Sequence, residues 1–199
     1  LRNDKKLLNT FENHIKQLDT DEAKIQFSKN FGFSLLKAKY LFDKFIIKRD
    51  TSKEQEEWSL LKMRNSKQTK GSSVSYTASY PNSFEDTQLN RQLVQLLSMF
   101  HVSLPTMSYK HWLNAALNYV FEHSNTTAED YINNLEETAK HFVFNRIVAD
   151  SPQEYYDLIY NPTNRNEIQW EEENSTIDES KFNFGEITNN LLFNYVDYQ

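Results

Sequence analysis

Residues 85–123 read EDTQLNRQLVQLLSMFHVSLPTMSYKHWLNAALNYVFEH, and this stretch decides the fold. Apolar residues in its first half recur at spacings of four, seven, eight and eleven, which places them on one face of a helix. Pro105 then breaks the pattern, because a proline disfavours helix in the residue before it. A second apolar face follows. The two faces consist of Leu89, Leu93, Leu96, Leu97 and Phe100, and of Tyr109, Leu113, Ala116, Leu117 and Val120.

Two apolar helices joined by a short break predict an antiparallel helical hairpin, with Trp112 and Leu113 in the core. The whole chain has 199 residues but only three glycines and four prolines. Such a length can bury a real core, and so few helix breakers favour long helices over a turn-rich β fold. We therefore predict an all-α protein, an array of about seven helices around this central hairpin with long polar loops.

We predict a single helical domain over residues 1–199, and we expect it to be part of a longer protein because the chain begins at Leu1 instead of Met. Its regions are defined by shifts in composition and charge. They are a basic helical part at 1–63, a loop at 64–84, a helical core at 85–160, an acidic connection at 161–185 and a closing helix at 186–199.

Local signals set several helix boundaries within these regions. Gly32 is expected to stop or kink a helix, and the next helix to run from Phe33 to Arg49. Residues 53–63 are predicted to be helical, and 64–83 to form a long loop in which Val74, Tyr76 and Ala78 alternate weakly and could form a short strand. Thr126 with Glu129, and Ser151 followed by Pro152, are typical starts of two further helices. The apolar face predicted for the first of these includes Leu135, and that of the closing helix includes Leu191 and Leu192.

The net charge of −6 conceals an asymmetry, because residues 1–70 carry sixteen Lys and Arg against ten Asp and Glu. On the predicted helix Phe33–Arg49, three lysines point in nearly the same direction, since seven and eleven residues complete whole turns. These lysines and the two cations at the helix end are candidate nucleic-acid contacts: Lys37, Lys44, Lys48, Arg49 and Lys53. The alternative is that the lysines only extend from a buried helix to water.

The sequence lacks the common patterns of catalytic and cofactor sites. It has no phosphate-binding glycine loop, no serine between nearby glycines, no cysteine and no pair of helical histidines around a glutamate. His101 and His111 flank the predicted break, yet histidines there are more often surface residues than metal ligands. We predict no catalytic, cofactor-binding or metal residue in this chain. Without cysteines, a signal peptide or a membrane-spanning run, we expect a cytoplasmic protein with no membrane contact.

Two segments resemble the middle of GmrSD-type proteins: QLVQLLSMFHVSLPTMSYKHWLNAALNYVF at 92–121 and LLFNYVDYQ at 191–199. In that family a ParB-like domain with an Asp-Gly-Gln-Gln-Arg signature comes first, and an HNH-type nuclease part often comes last. Asn194–Tyr198 resembles the segment just before the HNH part. This chain lacks the first signature and ends where the HNH part would begin. No catalytic residue of the family can therefore be assigned here.

The resemblance implies a non-catalytic helical scaffold in a prokaryotic, modification-dependent DNA restriction or anti-phage defence protein. Its expected partners are the flanking nuclease domains of the same polypeptide, and DNA. The alternative is a stand-alone helical domain that binds a protein partner through the aromatic-rich hairpin or the acidic connection. An enzyme with an unrecognised helical site is a third hypothesis, disfavoured because no cluster of reactive residues is apparent.

Overall fold

The computed structural model describes residues 4–50, 57–70, 73–103, 110–149, 151–166, 168 and 190–199. The chain divides into two units, Leu1–Tyr40 and Leu41–Gln199. The described residues are mostly helical, as the sequence predicts, but they also form two small antiparallel sheets.

The first unit is a pair of helices, α1 at Asp4–Lys16 and the beginning of α2 at Asp21–Phe45. The Thr20 hydroxyl accepts a hydrogen bond from the Ala23 amide at 3.1 Å and so caps α2. Aromatic rings join the two helices. The ring centroids lie 4.8 Å apart for Phe11 and Phe31, and 4.7 Å apart for His14 and Phe27.

The predicted stop at Gly32 is wrong, because α2 runs through this residue without interruption, while the alternative of a kink there stays a prediction. A single glycine costs a helix only about 1 kcal/mol relative to alanine, which a helix of 25 residues accommodates. The predicted end of the same helix at Arg49 is also wrong. The helix ends at Phe45, and Lys48–Asp50 forms strand β1.

Strand β1 pairs antiparallel with β2 at Glu57–Ser59, and β3 at Arg64–Lys70 pairs antiparallel with β4 at Ser73–Ser79. These strands correct two predictions. The helix predicted at 53–63 is replaced by a strand over 57–59, while 53–56 lie outside the described residues. The loop predicted at 64–84 contains a regular two-stranded ribbon. Strand β4 contains Val74, Tyr76 and Ala78, so the short strand that their weak alternation indicates is present. Strand β3 is polar on both faces and lacks this signal.

Five further helices belong to the second unit. A π-turn at Val143–Ile147 extends α5, and a short 3-10 turn at Pro162–Asn164 follows α6. The helices are α3 at Thr87–Ser103, α4 at His111–Glu122, α5 at Ala128–Phe142, α6 at Tyr155–Tyr160 and α7 at Leu191–Tyr198.

Helix α5 is the centre of the core, because it packs against α3, α4 and α6, while α7 packs against α3. The core contains fully buried large side chains from four helices and from Leu60, which follows β2: Phe45, Leu60, Leu93, Leu96, Phe100, Tyr131, Leu135, Phe142 and Leu191. The Tyr131 hydroxyl also donates to the Phe45 carbonyl at 3.2 Å, which ties the end of α2 to α5.

The predicted pairing of α3 with α4 as an antiparallel hairpin stays a prediction. Phe100 and Trp112 stack with centroids 6.0 Å apart where the two helices approach their connection, and residues 104–109 lie outside the described residues. Trp112 is buried as predicted, whereas Leu113 is only half-buried at the edge of the core.

Two predicted helix starts are shifted. Thr127, and not Thr126, caps α5 by accepting from the Asp130 amide at 3.1 Å. Helix α6 begins at Tyr155 after Glu154, so the start predicted at Ser151 is too early. The closing helix is present as α7. Most of the predicted acidic connection, at 167 and 169–185, lies outside the described residues.

Candidate nucleic-acid interface

Strands β3 and β4, which together we call the ribbon, pair over seven positions from Arg64 opposite Ser79 to Lys70 opposite Ser73. Side chains alternate between the two faces of such a ribbon. One face carries Lys67 directly opposite Tyr76, and the other carries Arg64 opposite Ser79. All side chains described at 64–69 and 74–79 are exposed, so both faces are available to a partner.

The ribbon region is uniformly basic. Residues 62–84 contain Lys62, Arg64, Lys67 and Lys70, but no Asp or Glu. Lysine and arginine contribute to nucleic-acid affinity by neutralising phosphates. Hydroxyl groups of Ser, Thr and Tyr also donate to phosphate oxygens. A two-stranded ribbon is narrow enough to enter the major groove of duplex DNA.

The base of the ribbon is fixed to the core. The Lys62 amide donates to the Pro81 carbonyl, and the Ser83 amide donates to the carbonyl of buried Leu60, both at 3.0 Å. Ser83 is itself buried, and its hydroxyl donates to the Lys44 carbonyl at 2.5 Å. These bonds hold the ribbon to the end of α2, so its cations project from a defined position.

An open groove of about 770 Å³ runs between the base of the ribbon, β2 and α3. It combines aromatic rings with groups that donate and accept hydrogen bonds. Its lining includes Trp58, Tyr80, Asn82, Arg91, Gln95 and Ser98. The exposed Tyr80 ring, beside arginine and amide side chains, is suited to stacking and hydrogen bonding with an unpaired base, whereas Trp58 is half-buried.

The stripe predicted for Lys37, Lys44 and Lys48, with Arg49 and Lys53 beside it, does not continue along one helix. Lys37 belongs to the first unit, whereas Lys44, Lys48 and Arg49 belong to the second, and Lys53 lies outside the described residues. Because α2 ends at Phe45, Lys48 does not continue the helical face. Whether these cations contact DNA stays a prediction.

The three cations in the second unit have different environments. Lys44 is half-buried, with its ammonium 4.5 Å from the centre of the Phe45 ring. Its pKa is lowered by burial and then by the charge of Lys62. The Lys48 ammonium lies 3.6 Å from a carboxylate oxygen of Asp43, which offsets part of the positive charge of Lys48. Arg49 is exposed, with its guanidinium 6.0 Å from the Trp58 ring at the groove. Arg49 is therefore the predicted cation that lies beside the groove.

The histidines and acids of the described residues do not form a site for a metal, since no group of three or more such side chains is positioned to hold one. His101 and His111 have different neighbours. His101 lies against Trp58 and near the Lys110 ammonium, whereas His111 stacks on Tyr155 at 3.9 Å. Burial lowers the pKa of both histidines, and the nearby cations Lys110 and Arg146 add to this effect.

A second polar cluster surrounds the π-turn. The buried Asn145 amide donates to the Gln153 side chain at 3.0 Å and to the Asn166 carbonyl at 2.9 Å. Tyr155 lies against the Arg146 guanidinium, 4.4 Å from its ring centre. Because these groups bind one another, the cluster fixes residues 151–166 to the end of α5. It has the geometry of a structural network.

No protein-family model, no characterised protein and no solved structure matches this chain. None of the described helices is both long enough and apolar enough to cross a membrane.

Sequence reasoning missed the ribbon and the groove as a site. The available signal was the run of four cations without an acid between residues 62 and 84, set among Ser, Thr and Tyr. The groove had no comparable signal, because its lining comes from residues up to 41 positions apart, Glu57 to Ser98.

Proposed function

We propose that this chain is a non-catalytic module that contacts DNA through the ribbon and the adjacent groove. The observation that carries this proposal is the ribbon itself: exposed on both faces, free of acidic residues and fixed to the core at its base. Phosphate contacts made by its cations position DNA without reading the sequence. The aromatic groove at its base is suited to an unstacked or single-stranded base.

The resemblance to GmrSD-type proteins sets the biological context of the proposal. In that context the module acts in the prokaryotic cytoplasm as the helical scaffold between the nuclease domains of a modification-dependent restriction or anti-phage defence protein. We also infer that α3 and α4 pack against α5 and, within the described residues, meet each other only near their connection, where Phe100 and Trp112 stack. A scaffold that holds DNA would complement catalytic residues supplied by other domains.

The direct test is titration of a labelled duplex, and of its single strand, by fluorescence anisotropy at about 50 and 200 mM salt. The ribbon variant combines Arg64→Glu with Lys67→Glu. We expect it to weaken binding at least tenfold and to reduce the salt slope by about 2, one for each lost phosphate contact. Changing Lys37, Lys44 and Lys48 to Glu tests the predicted stripe in the same assay.

A matched control combines Lys16→Glu with Lys24→Glu, which changes the net charge equally on lysines of α1 and α2 outside the ribbon. We expect this control to bind nearly as well as wild type. A second variant, Tyr80→Ala, should weaken binding of the single strand more than of the duplex, because it removes a stacking ring. Circular dichroism confirms that each variant keeps its helices.

The DNA proposal is wrong if wild type does not bind at low salt, or if the ribbon variant and the control lose affinity equally. In that case the alternative, a helical domain that binds a protein partner, becomes the preferred function. The specific observation in its favour is the apolar surface that α2 exposes in the first unit.

A further inference from the structure

Helix α2 has two apolar faces in the first unit, and α1 covers only one of them. Phe27 and Phe31 contact His14 and Phe11 across the helix pair. On a helix with about 100° per residue, Phe27 and Phe31 point away from a second set of apolar residues. That set, which we call the apolar stripe, consists of Ile25, Phe33, Leu36 and Tyr40.

The apolar stripe is continuous and exposed. Its side chains are 54% exposed for Ile25, 69% for Phe33, 73% for Leu36 and 63% for Tyr40. Together with Lys29 and Gly32, these four residues form a row with one member every three or four positions. The whole row falls within an arc of about 100° around the helix axis. Single exposed apolar residues are ordinary, but a contiguous row of this kind marks an interaction surface.

The area of the stripe matches half of a dimer interface. A large side chain carries about 150–250 Å², so the four together expose roughly 500 Å². A standard interface takes about 800 Å² from each partner, of which about 60% is apolar. Two copies of the stripe would therefore supply the apolar area of a standard interface without any other element of the chain.

The order of residues along the stripe is self-complementary in an antiparallel arrangement. A two-fold axis between Gly32 and Phe33 places each Ile25 opposite a partner Tyr40, and each Lys29 opposite a partner Leu36. The partner Phe33 then lies over Gly32, where a Cβ atom would meet nothing within 4 Å. A glycine permits this close approach because it has no side chain.

The charges beside the stripe favour the same orientation. Asp21 and Lys39 are separated by eighteen residues, or five turns, and so lie on the same flank of α2. In an antiparallel pair the same flanks of two helices face each other, which brings the acidic first turn of one copy towards the basic second half of the other.

We propose that the apolar stripe of α2 binds a second copy of this chain in antiparallel orientation to form a homodimer. The Lys29 stem covers the partner Leu36 while its ammonium reaches water. The surface is isologous, so one substitution changes the interface at two positions.

Sedimentation equilibrium from about 1 to 100 µM tests the dimer. We expect wild type to dimerise and Leu36→Glu to raise the dimer dissociation constant at least about 100-fold, because the apolar contact is lost at both symmetric positions. The matched control is Leu8→Glu, which charges an exposed leucine of α1 outside the stripe and should leave the dimer intact. Far-ultraviolet circular dichroism of the diluted monomers confirms folding.

Orientation is tested by cross-linking, since the chain has no cysteine. A mixture of Ile25→Cys and Tyr40→Cys chains should form a disulfide-linked dimer faster than either variant alone. Two outcomes would overturn the proposal: wild type that remains monomeric at 100 µM, and Leu8→Glu that weakens the dimer as much as Leu36→Glu. Equal cross-linking by Ile25→Cys alone would overturn the antiparallel orientation.

Discussion

Helix α2 is apolar in both of its parts but is buried in only one of them. In the first unit, Leu36 and Tyr40 are largely exposed, whereas Leu41 and Phe45 in the second unit are fully buried. Phe45 contacts Phe84 and Tyr131, which lie far along the chain, with ring centroids 5.8 Å away in each case. The comparison teaches that an apolar helical pattern indicates a face to be buried without identifying what buries it.

The largest expected effect comes from truncating one side chain in each part of α2. Phe45→Ala should lower the free energy of unfolding by about 3–5 kcal/mol, because it leaves a cavity in the core. Leu36→Ala should change it by less than about 0.5 kcal/mol at low protein concentration, where self-association does not contribute. Urea unfolding followed by circular dichroism measures both values. Equal losses would show that the two parts of α2 share one core.

A smaller effect distinguishes the observed start of α5 from the start predicted from sequence. Thr127→Ala should cost about 1 kcal/mol, because it removes the hydroxyl that accepts from the Asp130 amide. Thr126→Ala should cost less than half as much, since the Thr126 hydroxyl meets the Tyr119 hydroxyl at 3.2 Å but does not cap the helix. Urea unfolding of the two variants decides between them, and the reverse order would restore Thr126 as the cap.

The smallest expected effect is a pH dependence of the free energy of unfolding, which comes from the second unit. In the second unit, burial first and neighbouring cations second lower the pKa of His101, His111 and His141. The unfolded chain then binds protons that the folded chain does not, so the free energy of unfolding should fall as the pH drops below about 6.5.

Urea unfolding at about pH 7.5, 6.5 and 5.5 measures this dependence. His111→Phe keeps a ring against Tyr155 but removes one titrating group, so its stability should depend less on pH. Wild type measured under the same conditions is the reference. A free energy of unfolding that stays constant or rises down to pH 5.5 would contradict the prediction.

Helices with a long one-sided apolar pattern could be predicted from sequence. The residues predicted to face inward on α3 and α5, including Leu93, Leu96 and Leu135, are buried as expected. This success has a simple cause: both helices bury one face and expose the other, so the residue pattern alone contains the information. The end of the chain was predicted for the same reason, from Leu191 and Leu192 of α7.

The other elements depend on interactions that cannot be recognised from the periodicity of apolar residues. The ribbon is stabilised by backbone hydrogen bonds between polar strands, so residues 64–79 resemble a loop in composition. Lys48 continues the helical spacing of Lys37 and Lys44, yet β1 pairs it with Ser59. The candidate site depended on both points. Its cations were visible in the sequence, but the faces on which they lie were not.

Because of the π-turn at Val143–Ile147, the number of residues in this segment matters more to the structure than which residues they are. Its wider turn, in which the Val148 amide donates to the Val143 carbonyl at 3.0 Å, holds one residue more than an α-helical turn. Deleting one residue there would let α5 continue as a regular helix and would rotate everything after it by about 100°. The Gln153 amide, now 2.9 Å from the Asn145 carbonyl, would lose its acceptor. By contrast, adding one residue to each strand of the ribbon would only lengthen the ribbon by one residue pair. The ribbon would therefore tolerate a change in length that would disrupt the structure at the end of α5.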